Sequence, residues 1–147
     1  MRTLEMNYDR LERLIGPKLF RDGSGTWYLR IENPPYMRLS IHGLPDDRIA
    51  LAHYSEQNDE LMADPEMTVH LIHEMRVAVP ESYRNDYVGV KEYTRPKPGF
   101  VNVDAQNKQS SFLRRWLINL KQQGFLKGTR TEKNLADDNA ACGGAAS

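Results

Sequence analysis

Residues 27–42 read Trp-Tyr-Leu-Arg-Ile-Glu-Asn-Pro-Pro-Tyr-Met-Arg-Leu-Ser-Ile-His, and no other stretch narrows the possible folds as much. Trp27, Leu29 and Ile31 alternate with Tyr28, Arg30 and Glu32. After Asn33-Pro34-Pro35, Met37, Leu39 and Ile41 alternate with Arg38, Ser40 and His42. A period of two on both sides of a turn signal predicts two half-buried antiparallel strands. The prolines cannot donate to a strand ladder, so they mark the connection. One face of such a sheet is apolar and has to be covered.

Amphipathic segments near both ends of the chain supply the cover. The first helix is predicted over 4–15, where Leu4, Tyr8, Leu11, Leu14 and Ile15 make one narrow stripe before Gly16-Pro17. The second is predicted over 104–123, with Phe112, Leu113, Trp116, Leu117 and Leu120 on a broad apolar face. Asp104 or Ser110 is its expected N-cap, and Gly124 its C-terminal stop. Between the helices, 48–57 and 66–74 read as a third and a fourth strand. Asn58-Asp59-Glu60 and Ala63-Asp64-Pro65 read as turns. Val77-Ala78-Val79 extends the fourth strand or begins another that Pro80 stops, and 86–93 is a weaker fifth. From 129 onward no apolar periodicity remains. The fold class expected is therefore α+β: an antiparallel sheet of four or five strands covered on one face by N-terminal and C-terminal helices. A single domain is expected over 1–126, with a disordered tail over 127–147.

Composition excludes several function classes. Apolar content of 39% and charged content of 27% describe a globular protein. No apolar run approaches the ~20 residues that span a bilayer. Glu5, Asp9, Arg10, Glu12 and Arg13 interrupt any secretory apolar region near the N-terminus. Cys142 is the single cysteine, so no internal disulfide or zinc knuckle is expected. The expected compartment is the cytoplasm, with no membrane association. Net charge is zero but uneven. Residues 44–92 carry four Lys/Arg against eleven Asp/Glu, and residues 93–133 carry nine against two. Either the two segments neutralise each other within the fold, or one of them meets a charged partner.

Four groups of residues carry possible chemistry. Asp59, Glu60, Asp64 and Glu66 crowd the connection between the third and fourth strands. Such carboxylates can steer a basic partner, hold a divalent ion or do acid–base work. His70 and His73 are three apart. On a strand that spacing points them to opposite faces, so they are not expected to share a metal. Arg114 and Lys121 lie opposite the apolar stripe of the second helix, with Arg115 to one side, Ile118 interrupting the face and Lys127 beyond the helix. A basic helix and tail can track phosphates, although a charged outer face is commonly just solvated. Tyr28 and Tyr36 are candidate stacking platforms, or simply strand aromatics packed on a helix. No glycine-rich phosphate loop, nucleophile elbow or Cys/His pair is present.

Residues 57–67, Gln-Asn-Asp-Glu-Leu-Met-Ala-Asp-Pro-Glu-Met, resemble the Gln-Asn-Gly-Asp-x-Met-x-Asp-Pro-Glu-Met stretch of a bacterial domain family of unknown function common on plasmids and mobile elements. The departure is Asp59-Glu60 in place of Gly-Asp. A weaker similarity, to YqiB-like uncharacterised proteins, rests on residues 5–11, 65–74 and 112–117. Neither resemblance implies an activity or a catalytic residue. The expected function is a non-enzymatic interaction module that binds another protein, with the acidic connection as recognition surface and with no cofactor or metal. The alternatives are nucleic-acid binding through Arg114, Arg115, Lys121 and Lys127, and a metal-assisted hydrolase built on the acidic turn.

Overall fold

A computed structural model describes residues 2–57 and 60–135. Helix α1, Arg2–Ile15, is followed directly by a one-turn helix α2, Pro17–Phe20. The seven strands are β1 Trp27–Glu32, β2 Leu39–Leu44, β3 Arg48–Gln57, β4 Glu60–Ile72, β5 Val77–Asn85, β6 Val90–Tyr93 and β7 Thr129–Asn134. Helix α3, Val103–Gln123, and a 3-10 turn, Phe125–Lys127, precede β7. All strands join one antiparallel sheet in the order β6-β5-β4-β3-β2-β1-β7. The α+β class with one antiparallel sheet is as expected, but among the described residues the sheet has seven strands rather than four or five.

The alternation in 27–32 translates directly into burial. Trp27, Leu29 and Ile31 are buried while Tyr28, Arg30 and Glu32 are not. Leu39 and Ile41 pair with Ile31 and Leu29, and Leu51, Met67, Ile49 and Val69 continue the apolar face across β3 and β4. Helix α1 adds Tyr8, Leu11, Leu14 and Ile15, and α3 adds Leu113, Trp116, Leu117 and Leu120. Phe20 and Phe125 close the core at its ends. Burying each large apolar side chain contributes ~1.5–3 kcal/mol. Asn7 stitches the helical layer together, its Nδ2 donating to the Ser110 carbonyl at 3.1 Å.

Several boundaries differ from expectation, each for a local reason. Gly16 (φ 97°) does end α1, but Pro17 then occupies the first turn of α2, where its missing N–H costs nothing. Residues 63–65 are not a turn: β4 runs through them, and the β3–β4 register shifts between Ala52 and Tyr54 to accommodate Pro65. Pro80 does not stop β5, because a second shift, opposite Thr68 and Val69, places it at an irregularity. Residues 86–89 form a turn before the short β6. The α3 N-cap is Asn102, whose side chain accepts from the Ala105 N–H at 3.0 Å, rather than Asp104 or Ser110. Gly124 stops α3 in the left-handed conformation, φ 93°.

The largest correction concerns the expected tail. Thr129–Asn134 is a full strand paired with β1 from Glu32 to Trp27. Arg130 locks it to the helical layer, donating to the carbonyls of Leu14 and Ile15 at 2.8 and 2.5 Å. A cation on the last carbonyls of α1 meets both their unused acceptors and the negative end of the helix dipole. The remainder of the predicted tail, 136–147, lies outside the described residues.

Candidate functional site

Helices α1 and α3 lie side by side, and a groove of about 480 Å³ runs between them. Its lining includes Leu14, Leu117, Ile118 and Leu126 as an apolar floor and Arg10, Arg13 and Lys121 as a basic rim. Arg114 stands close enough to Arg10 to help lower its pKa; burial is the larger cause, and Arg13 also contributes. Nearby like charges disfavour the charged form of a guanidinium, as burial does. Arg10 has a neutral partner among the described residues, donating to Asn7 Oδ1 at 3.3 Å. Among the described residues, Arg10, Arg13, Arg114 and Lys121 make no ion pair. The carboxylates of α1 that form ion pairs look elsewhere: Asp9 to Arg76 at 2.9 Å and Glu12 to Arg21 at 2.8 Å.

The uneven charge of the sequence is therefore not cancelled within the described fold. No ion pair there joins 44–92 to 93–133; the acidic segment pairs with its own cations, as in Arg48–Glu81 at 2.6 Å. Ile118, an interruption in the basic face when the helix is read alone, is floor once α1 stands beside it. The predicted basic residues are not all brought together. Arg115 lies by a separate hollow with Tyr83, Lys108 and Phe112, and Lys127 is exposed in the 3-10 turn. Arg10 and Arg13 have no signal of their own in the sequence, since only tertiary packing places them opposite Lys121.

Residues 8–126 match the family described as "Domain of unknown function (DUF6908)". The chain belongs to the DUF6908 family. No curated protein and no solved structure matches it. In this DUF6908 chain the match covers most of α1 and all of α3, so both walls of the groove fall within it, whereas β7 lies beyond it.

The acidic connection becomes part of the long β3–β4 hairpin. Asp59 and the side chain of Glu60 lie outside the described residues. Asp64 accepts from Asn85 Nδ2 at 3.1 Å. Glu66 accepts from the Tyr54 hydroxyl and lies 3.8 Å from Arg84, which holds Asp86 through bonds of 2.8 and 2.9 Å. Burial, and then Glu66, push the Tyr54 phenol up. The Arg84 hydrogen bonds, and then the Ala63 N–H, draw the Asp86 carboxyl down to about 2. Nothing in the sequence marks Arg84, Asn85 and Asp86 as partners, because the β4–β5 register sets Arg84 opposite Glu66 and so brings Asn85 to Asp64 and Asp86 to the Ala63 N–H.

The histidines do separate, but not as two residues of one strand: β4 ends at Ile72, so His70 lies on the strand and His73 in the turn after it. His73 accepts or donates through Nδ1 to the Tyr8 hydroxyl at 2.8 Å, on the helical side. His70 sits on β4 with its pKa lowered, first by burial and then by Arg48. His53 is held from both ring nitrogens: Trp116 Nε1–H donates to Nε2 at 3.1 Å, and Nδ1 lies 3.1 Å from the Arg38 carbonyl. That pattern fits the neutral tautomer protonated on Nδ1, and burial lowers its pKa accordingly. No group of three or more His, Cys, Asp or Glu among the described residues is arranged to hold a metal ion. No helix there is long and apolar enough to cross a membrane.

Proposed function

We propose that the chain is a non-enzymatic interaction module whose recognition surface is the α1–α3 groove, and that its partner is a protein segment carrying acidic and apolar side chains together. The observation that supports this is the convergence of Arg10, Arg13 and Lys121 on an apolar floor, with Arg114 near Arg10, none of the four having an ion-pair partner among the described residues. Holding like charges together mildly disfavours the fold, and an external anion relieves it. The floor favours one class of anion. Ile118 is only partly buried and Leu126 is 38% exposed, so both offer surface to apolar side chains. A phosphodiester backbone has nothing to bury there, whereas an amphipathic acidic helix places one face on the floor and its carboxylates on the rim.

Asp64 and Glu66 are already engaged inside the sheet, which moves the proposed surface from the acidic connection to the groove. A bacterial mobile-element or host-defence setting belongs to this proposal on the sequence resemblance alone. The test compares wild type with the Arg114→Glu, Lys121→Glu double variant, both positions being exposed and free of internal partners. Protein partners are captured from the native host after nuclease treatment, and association rates are then measured. The variant should associate at least about tenfold more slowly in low salt, with the difference shrinking as salt rises. Equal rates in low salt would refute the groove as the surface. Capture that disappears on nuclease treatment would show the partner to be nucleic acid.

A further inference from the structure

We propose that the open face of the sheet, opposite the helices, binds single-stranded nucleic acid. This site is independent of the helical groove. Tyr28, Arg30, Ser40, His42, Ala50, Ala52, Tyr54, Glu66 and Thr68 come to one face through the register of β1 to β4. A shallow depression of about 340 Å³ lies there, lined by Tyr28, Arg38, Ser40, His42, Tyr54 and Lys133 together with Leu61 and Leu135. Ser40, Ala50 and Ala52 are small, and the partly exposed rings of Tyr28, His42 and Tyr54 lie around and over them, with Ser40 and Ala52 buried beneath.

Three features of the rim select the ligand. Its aromatic groups are clustered: the Tyr28 and His42 rings are 4.7 Å apart at 48°, and Tyr54 projects from the next strand. Burial lowers the His42 pKa, which keeps the ring neutral and suited to stacking on a base. Its charge is of one sign: the described lining contains Arg38 and Lys133 and no carboxylate. Neither cation forms an ion pair among the described residues. Among the described side chains of β1 to β4, two acids share the face and both are engaged, Glu66 by Tyr54 and Arg84 and Glu32 by Arg30 at 3.5 Å. Its hydrogen-bonding groups sit beside the rings, with the Tyr28 hydroxyl 3.2 Å from Ser40 Oγ, where they can meet the edge of a stacked base. Aromatic rings beside cations on an open sheet suit unpaired bases and the phosphates between them. A duplex hides its base faces and cannot use the rings.

The experiment is fluorescence anisotropy of labelled oligo(dT) and oligo(rU), each of about twelve nucleotides, a length of the order of one such site, titrated with the full chain. A duplex of the same length serves as competitor. Single strands should bind at least about tenfold more tightly than the duplex, with affinity falling as salt rises. Preference for one oligonucleotide would tell DNA from RNA, and either supports the site. Tyr28→Leu should weaken binding about tenfold. Arg38→Gln with Lys133→Gln, both exposed and outside the core, should weaken binding and flatten the salt dependence. Arg114→Glu with Lys121→Glu should leave single-strand binding unchanged, so failure of the groove reading and failure of this one are distinguishable. Absence of binding in low salt, equal affinity for duplex, or loss only in the groove variant would overturn the proposal.

Discussion

Trp116 joins helix to sheet twice, once by packing and once by a hydrogen bond, and its replacement separates the two. The side chain is 7% exposed, with ring centroids 6.0 Å from Phe112 and 5.5 Å from His53. Trp116→Ala removes the ring and leaves a cavity, costing ~3–5 kcal/mol. It also strips the donor from His53 Nε2, a partly buried acceptor whose loss of partner costs ~1–3 kcal/mol. The two costs share one site and do not simply add. Trp116→Phe keeps most of the apolar contact and loses the N–H, so its cost should stay near the second figure, ~1–3 kcal/mol. Against a domain stability of ~5–15 kcal/mol, the alanine variant should be close to unfolding at ordinary temperature. Urea unfolding followed by far-ultraviolet circular dichroism measures both, with Trp27 fluorescence as a second probe. The expected order of midpoints is wild type, Trp116→Phe, Trp116→Ala. An alanine midpoint equal to wild type would refute the burial of Trp116. A phenylalanine variant as unstable as the alanine one would refute packing as the larger contribution.

Truncation after Gly128 removes β7 and the Arg130 bonds to the end of α1, and it bares the outer edge of β1. The melting temperature should fall by more than about 5 °C, and an unchanged melt would show that β7 contributes nothing. Stability should also fall as pH drops below about 6.5. Burial lowers the pKa of His42, His53 and His70, so the unfolded chain takes up protons in that range before the folded chain does. More protons bound by the unfolded state means stability that is full above the unfolded pKa and lost as pH falls toward the folded values. Urea midpoints at about pH 5 and 7.5 should differ in that direction, and less so in His53→Gln; midpoints that rise on acidification would contradict the sign.

The parts of the fold legible in the sequence are those in which one side chain in two, or a stripe at helical spacing, is apolar. Strand β3 begins and ends where its alternation does, and α3 is displaced by one residue at its start. Strand β7, Thr-Arg-Thr-Glu-Lys-Asn, left no such trace, because an edge strand with polar residues on both faces has no period to read. Pro65 and Pro80 misled for a related reason. Proline excludes a regular ladder, yet an extra residue in its own strand shifts the register and absorbs it, and such a shift is a property of the pair. The candidate site was half legible. Arg114 and Lys121 could be placed on one helical face, but Arg10 and Arg13 join them only through the packing of helices about a hundred residues apart in the chain.

The groove is tested most directly by replacing Ile118, on its floor, with the photoreactive residue benzoylphenylalanine and irradiating the chain with its captured partner. The proposal predicts a covalent adduct whose mapped peptide carries acidic and apolar residues at helical spacing, and whose yield falls in the Arg114→Glu, Lys121→Glu background. An adduct confined to a residue placed at Leu61 on the open face of the sheet, with none from position 118, would contradict it.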